Sequence, residues 1–219
     1  MKSQISWKVG GQQGEGIEST GEIFATAMNR KGYFLYGYRH FSSRIKGGHT
    51  NNKIRVSTSP VHAISDDLDI LIAFDQETIE LNHHEMREDS IIIADAKAKP
   101  QKPENCVAQL IELPFTSTAK ELGTALMKNM VAIGATSALM DLNTSTFETL
   151  IDNMFSKKGN KNILDGCNFN FEKGKSYAYL NRYRKAFDKI QHTFIIKTVN
   201  TLGIEGKFLN LITGHPLKM

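Results

Sequence analysis

Cysteine is scarce in this chain, with two thiols, Cys106 and Cys167, in 219 residues. Two thiols cannot supply the four thiolates of an ordinary iron–sulfur cluster, and they make no disulfide framework. The expectation is a cytoplasmic chain with reduced thiols. No apolar run approaches the roughly 20 residues of a membrane span, so no membrane partner is expected. The N-terminus lacks the basic and apolar regions of a signal peptide. The Gly-Lys-Ser/Thr that closes a P-loop is missing, as is the dinucleotide G-x-G-x-x-G spacing. No thiamine diphosphate motif is evident.

The rest of the composition is that of a soluble globular protein: 40% hydrophobic and 23% charged residues. The length suits one good core with room for an appendage. The net charge of +4 hides a split. Residues 1–156 carry 15 Lys/Arg against 19 Asp/Glu, and residues 157–219 carry 12 against 4. The basic excess belongs to the tail, so nucleic acid is not an expected partner of the body.

Strands and helices alternate along the chain. "QISWKVGG" reads as a strand and "EGIESTGEIFATAMNRKG" as a helix, with Ile17, Phe24, Ala27 and Met28 on one face and Gly32 as its C-terminal cap. "YFLYGYRHF" and "NNKIRVST" read as strands around a polar loop. "DILIAF" and "SIIIAD" each carry a short continuous apolar run, as in strands covered on both faces. Between them "DQETIELNHHEM" reads as a helix, with Asp75 as its N-cap. "VAQLIELPF" is a further strand; "TSTAKELG", "LMKNMVAIGATSALMDL" and "STFETLIDNMFSKKG" are helices. This order predicts an α/β, Rossmann-like three-layer domain with a mostly parallel sheet, whose ligands would meet the carboxyl ends of the strands.

Between the first strand and first helix, Gly10, Gly11, Gly14 and Gly16 fall within seven residues. Glycine there permits positive φ and lets a ligand reach the backbone. The helix N-terminus offers unpaired N–H groups and partial positive charge, so the loop can cradle a phosphate. Glu15 and Glu18 oppose an anion, and a tight turn without ligand is the alternative. The second loop, "SSRIKGGHTNNKIR", gathers Arg44, Lys46 and His49 with Gly47 and Gly48. Cations beside pliant backbone suit phosphate or carboxylate; a solvated hairpin loop is the plain alternative.

"WKVGGQQGEGIESTGEIFATA", "GYRHFSSRIKGGHTNNKIRVST", "DDLDILIAFD" and "LMKNMVAIGA" follow one another in this order. Together they resemble the gamma domain of 2-oxoacid:ferredoxin (acceptor) oxidoreductases, in particular the N-terminal part of the fused gamma–alpha subunit, over about residues 4–178. The resemblance implies oxidative decarboxylation of a 2-oxoacid, such as 2-oxoglutarate or pyruvate, to an acyl-CoA, with electrons passing to ferredoxin. It implies an alpha part and a beta subunit as partners, with thiamine diphosphate, Mg and iron–sulfur clusters held there. It leaves this domain an assembly surface and contacts to coenzyme A. By resemblance, the cofactor-binding positions are Gly11, Gly14 and Gly16 in the glycine loop, and Arg44, Lys46, Gly47 and Gly48 in the basic loop. Lys46 stands where many relatives have arginine, so a point charge replaces a bidentate fork. No catalytic residue or metal ligand is implied, and the isolated chain is expected to be inactive.

Beyond residue 181 the pattern changes. "RYRKAFDKIQHTFIIKTVNTLGIEGKFLNLI" resembles a fragment of a LINE-type retrotransposon reverse transcriptase over about residues 184–212. Arg182 occupies the place of that family's metal-binding aspartate, six positions before Asp188, so no polymerase function is expected. Tyr183, Phe187, Ile190 and Phe194 recur at helical spacing. The expected division is therefore 1–181, the gamma-type domain, and 182–219, an unrelated basic tail, either a helical appendage or poorly ordered. Two other functions remain open: a stand-alone anion- or nucleotide-binding module, and a non-functional chimeric product.

Other residues read as structural. His83 and His84 are adjacent and point apart, so they are poor joint ligands. His40 and His49 flank a loop, and no nearby carboxylate or thiol is expected to complete a site with them. The carboxylates of "ISDDLD" read as a solvated turn. Asn129 reads as a helix-start hydrogen bonder, and Met127, Met130 and Met140 as core or interface filler.

Overall fold

A computed structural model describes residues 3–43, 47–121, 124–140, 142, 147 and 149–151. Six strands form one sheet in the order β2-β3-β1-β4-β5-β6. They are β1 (Gln4–Gln12), β2 (Phe34–Phe41), β3 (His49–Ser57), β4 (Leu68–Ala73), β5 (Met86–Asp95) and β6 (Gln109–Leu113). The helices are α1 (Ile17–Arg30), α2 (Gln76–Asn82), α3 (Phe115–Glu121) and α4 (Lys128–Leu139).

The expected α/β architecture is present. The β1–β4, β4–β5 and β5–β6 pairs are parallel, and β3 runs antiparallel to both β1 and β2. The parallel majority is therefore narrow, because the β2–β3 hairpin is stitched onto one side. The expected boundary at residues 181 and 182, the appendage, and most of the helix read over "STFETLIDNMFSKKG" lie outside the described residues. No described helix is long and apolar enough to cross a membrane.

Two cores flank the sheet, as side-chain alternation requires. On one face, Ile70 and Ile72 of β4 and Ile91 and Ile93 of β5 pack with Trp7 and Val9 beneath α1, α3 and α4. On the other, Leu71, Ala73, Ile92 and Ala94 pack with Ile79 of α2 and Cys106. All six residues of β4 are buried, which accounts for the apolar stretch over 70–73; buried Asp69 is the one charged residue in the strand. Trp7 stacks on Phe24 of α1, with ring centroids 4.3 Å apart. Helix α1 ends as its glycine predicts: Gly32 has φ 85°, its N–H bonds the Asn29 carbonyl, and the Tyr33 N–H reaches back to Met28. Helix α2 begins on Asp75, whose Oδ1 accepts the Thr78 N–H at 2.8 Å.

The α2 face is not apolar throughout. Lys8 of β1 and Lys53 of β3 stand directly opposite in register, both nearly fully buried. Two like charges so paired repel. Glu85, in the 3-10 turn His83–Glu85 after α2, answers both: Oε1 is 2.6 Å from Lys8 Nζ and Oε2 is 2.7 Å from Lys53 Nζ. Asn82 accepts a further bond from Lys8 at 2.7 Å. Burial would raise the Glu85 carboxyl, but the hydrogen bonds and charges of Lys53 and Lys8 prevail and hold it below its ordinary value. Burial lowers Lys8 in spite of Glu85.

A carboxylate with a lowered folded pKa stabilises above its unfolded value, here 4.5, and that contribution disappears as pH falls through the folded value. Glu85→Gln leaves two buried ammonium groups without a counter-charge. It is expected to cost about 3–5 kcal/mol at pH 7 and to flatten the loss of stability on acidification below pH 4.5. Urea melts of both proteins from pH 3 to 8 would measure this; an equal acid sensitivity in the variant would contradict it.

Candidate functional site

The carboxyl ends of β1 and β4 lie side by side, as their parallel pairing requires. The start of β3 joins them, because His49 pairs with Gln12. This edge therefore receives the β1–α1 glycine loop, the end of the β2–β3 loop and the β4–α2 turn.

The two loops singled out in the sequence meet here. The Gln13 N–H bonds the Gly48 carbonyl at 3.0 Å. Gly14 (φ 96°) and Gly47 (φ 70°) adopt backbone that favours glycine, and a Cβ on either would meet nothing within 4 Å. Arg44 and Lys46 lie outside the described residues.

The glycine loop is braced from within. Glu15 turns back so that Oε2 accepts the Gln12 N–H at 3.0 Å, while Oε1 pairs with Lys128 Nζ of α4 at 2.6 Å. The Glu15 N–H bonds the Gln12 carbonyl at 3.2 Å. Three N–H groups of the loop, on Gln12, Gln13 and Glu15, are thus engaged by protein acceptors. The two acidic residues that would oppose an anion are paired, Glu15 with Lys128 and Glu18 with Arg39 at 2.6 Å. Lys128 also sits 4.8 Å from the Phe74 ring centroid.

Close packing sets the glycine identities. A Cβ on Gly11 would stand 2.7 Å from Glu15 Oε2 and 3.0 Å from Phe74 Cβ. One on Gly16 would stand 2.5 Å from Asn129 Nδ2. Asn129, buried in the first turn of α4, therefore rests against the end of the loop.

His49 departs from its sequence reading. It has carboxylates close by, because the fold carries the start of α2 up to β3. One ligand atom each of His49, Asp75 and Glu77 lies within 4.8 Å of the others. Asp75 was legible as a helix cap; its position just past the carboxyl end of a buried parallel strand was the available signal for more. His49 is 6% exposed. Burial lowers its pKa first, the charges of Asp75 and Glu77 oppose that, and His40 and Lys8 add to the lowering. Of the carboxylates in "ISDDLD", Asp66 and Asp67 are exposed, as a solvated turn requires, and only Asp69 departs from that reading by being buried. Arg87 pairs with Asp67 at 2.7 Å and with buried Asp69 at 2.8 Å, at the opposite end of the sheet. His83 and His84 stay apart, ring centroids 6.1 Å from each other.

An open α/β sheet whose glycine-bearing β1–α1 turn meets a second glycine loop at the strand ends defines a Rossmann-like domain. The model of the pyruvate ferredoxin/flavodoxin oxidoreductase family matches residues 6–168, and the chain belongs to that family. It is 33% identical over 134 residues to the 2-oxoacid:ferredoxin oxidoreductase subunit alpha of Saccharolobus solfataricus, covering 57% of this chain and 21% of that one. The chain thus spans about a fifth of that relative's length. Among solved structures it resembles the 2-oxoglutarate:ferredoxin oxidoreductase of Magnetococcus marinus, determined with 2-oxoglutarate, coenzyme A and succinyl-CoA bound. That likeness has a TM-score of 0.68 at 28% identity, over 85% of this chain and 32% of that one. The keto/oxoacid ferredoxin oxidoreductase gamma subunit of Geobacter sulfurreducens PCA shares the fold, with a TM-score of 0.58 at 20% identity over 83% of this chain and 99% of that one.

The residues present do not fit an iron–sulfur cluster of the four-thiolate kind. Cys106 is buried under α2, and the whole sequence holds one other thiol. The resemblance read over residues 184–212 falls outside both the described residues and the stretch that the family model matches.

The packing at Gly16 gives a test. Gly14→Ala meets open space and is expected to cost only its backbone strain, roughly 1–2 kcal/mol. Gly16→Ala adds overpacking against Asn129, roughly 1–3 kcal/mol more, and Asn129→Ala in the same chain should recover most of that excess. Chemical denaturation of the four proteins measures it; equal costs at the two glycines would refute the contact.

Proposed function

We propose that this chain is the gamma-type component of a 2-oxoacid:ferredoxin (acceptor) oxidoreductase, contributing assembly surface and contacts to coenzyme A. One observation carries the reading. Two loops that the family resemblance singles out, far apart in sequence, meet at the carboxyl edge of the sheet through the Gln13–Gly48 hydrogen bond. In sequence, Lys46 directly precedes Gly47 and Arg44 stands three positions before it. They are the proposed phosphate-recognising residues, with Gly11, Gly14, Gly16, Gly47 and Gly48 supplying close backbone approach.

The assembly role is supported by β2. This edge strand exposes Phe34, Tyr36, Tyr38 and Phe41, each at least 41% accessible. Aromatic side chains on a sheet edge that is unpaired among the described residues favour a protein partner. The partners proposed are the alpha part and the thiamine diphosphate-binding beta subunit, which would also hold Mg and the clusters. Thiamine diphosphate chemistry would then take place on those chains, with this domain positioning the acyl acceptor.

Co-expression with an alpha part and a beta subunit tests the reading. The full chain should co-purify with them, and alone it should give no 2-oxoacid-dependent reduction of viologen. In the assembly, Arg44→Ala with Lys46→Ala should weaken coenzyme A binding by roughly 1.5–3 kcal/mol per lost charged hydrogen bond, measured by calorimetry. Turnover by the isolated chain, or failure to co-purify, would overturn the reading. Full coenzyme A affinity with no partner present would favour a stand-alone binding module instead.

A further inference from the structure

His49, Asp75 and Glu77 form a cluster that the proposed function does not use. Their ligand atoms lie within 4.8 Å of one another at the carboxyl ends of β1 and β4. The ring of His49 is seated against Gly10, whose missing side chain makes room for it: an added Cβ would stand 3.2 Å from His49 Cε1.

Two buried atoms of the cluster have no hydrogen-bond partner, His49 Nδ1 and Asp75 Oδ2. Orphaned buried polar atoms are uncommon, and each calls for an explanation. Both residues spend their other atom on positioning. Asp75 Oδ1 accepts from the Thr78 N–H and the Thr78 hydroxyl, at 2.8 and 2.6 Å. His49 Nε2 lies 3.4 Å from Asn51 Nδ2. Burial lowers the pKa of His49, a shift toward the neutral imidazole that ligates metals. Glu77 is exposed, so the cluster opens to solvent on its side.

We propose that His49 Nδ1, Asp75 Oδ2 and the Glu77 carboxylate bind a divalent first-row transition ion such as Zn2+, with a fourth position open to water or a ligand. One imidazole and two carboxylates are borderline donors that favour such ions over Mg2+ or Ca2+, which take oxygen alone. Two negative charges and a neutral ring balance a dication. Bonds of about 2.0–2.2 Å in a tetrahedral site set ligand atoms roughly 3.5 Å apart, a small contraction of this cluster. Metallation of Nδ1 leaves the proton on Nε2. Asn51 can accept that proton once the two ends of its amide exchange, which alters no packing. Asn51 and Thr78 then orient the two buried ligands, as outer-shell groups do at metal sites.

The test is titration of the full chain with Zn2+ by calorimetry and with Co2+ by visible absorption. One ion per chain is expected, with a Co2+ spectrum of low coordination number. Glu77→Gln, at an exposed position, keeps the fold and should weaken binding by at least the roughly 10–100-fold that loss of even an outer-shell group costs. His49→Ala should do the same, and its fold is checked by circular dichroism. His83→Ala with His84→Ala, on the surface turn after α2, should leave binding unchanged. Absence of binding by the unaltered chain, or binding that survives Glu77→Gln, would overturn the proposal. Neither result bears on co-purification with the oxidoreductase subunits, so the two readings fail separately.

Discussion

The ion pair between Glu15 and Lys128 joins parts of the chain 113 residues apart and fixes the carboxyl edge of the sheet. A glycine-rich loop has no side chains with which to hold itself, and its backbone entropy is high. Glu15 supplies what is missing: one oxygen grips the Gln12 N–H and the other grips α4. With α4 held, Asn129 rests on Gly16 and Lys128 covers Phe74. Phe74 in turn binds the Gly10 carbonyl through its N–H, which aligns the end of β4 with the end of β1. The position of Asp75, the next residue, follows from that alignment.

The two ends of the sheet handle charge differently. At the amino end, Arg87 joins Asp67 and Asp69, and Asp69 also accepts the Ser6 N–H at 2.7 Å. These contacts hold strands together, although Ser6 Oγ and Arg87 Nε are buried there without a hydrogen-bond partner. In the middle, Glu85 bridges a pair of opposed lysines with its single carboxylate. At the carboxyl edge, His49 and Asp75 keep orphaned atoms, and Gly14 and Gly47 face open space. What sets the carboxyl edge apart is that its two orphaned atoms, a ring nitrogen and a carboxylate oxygen, belong to side chains that stand together with Glu77.

Much of the fold could be read from local pattern. The runs "DILIAF" and "SIIIAD" declared doubly covered strands, and Gly32 and Asp75 declared helix ends, because each signal is confined to a few neighbouring residues. The glycine loop was equally visible, though not its brace: nothing near Glu15 in sequence indicates Lys128. The carboxylates beside His49 were hidden for the same reason. Histidine and acids lie on different elements, and strand order alone brings α2 over β3. Likewise, the opposition of Lys8 and Lys53 depends on register, which alternation of polar and apolar residues does not specify when both residues are lysine. The family resemblance singled out both glycine loops, but their contact through Gln13 and Gly48 was not legible in the sequence.

The organising role of the loop brace is tested most directly by a double-mutant cycle on Glu15→Gln and Lys128→Met. Unfolding free energies of the four proteins would be measured in urea at low and high salt. A coupling of roughly 0.5–3 kcal/mol, the range for contacting residues, is expected, with the larger share of it surviving high salt because Lys128 is buried. Additive single effects would contradict it and would mean that the glycine loop holds its shape without α4.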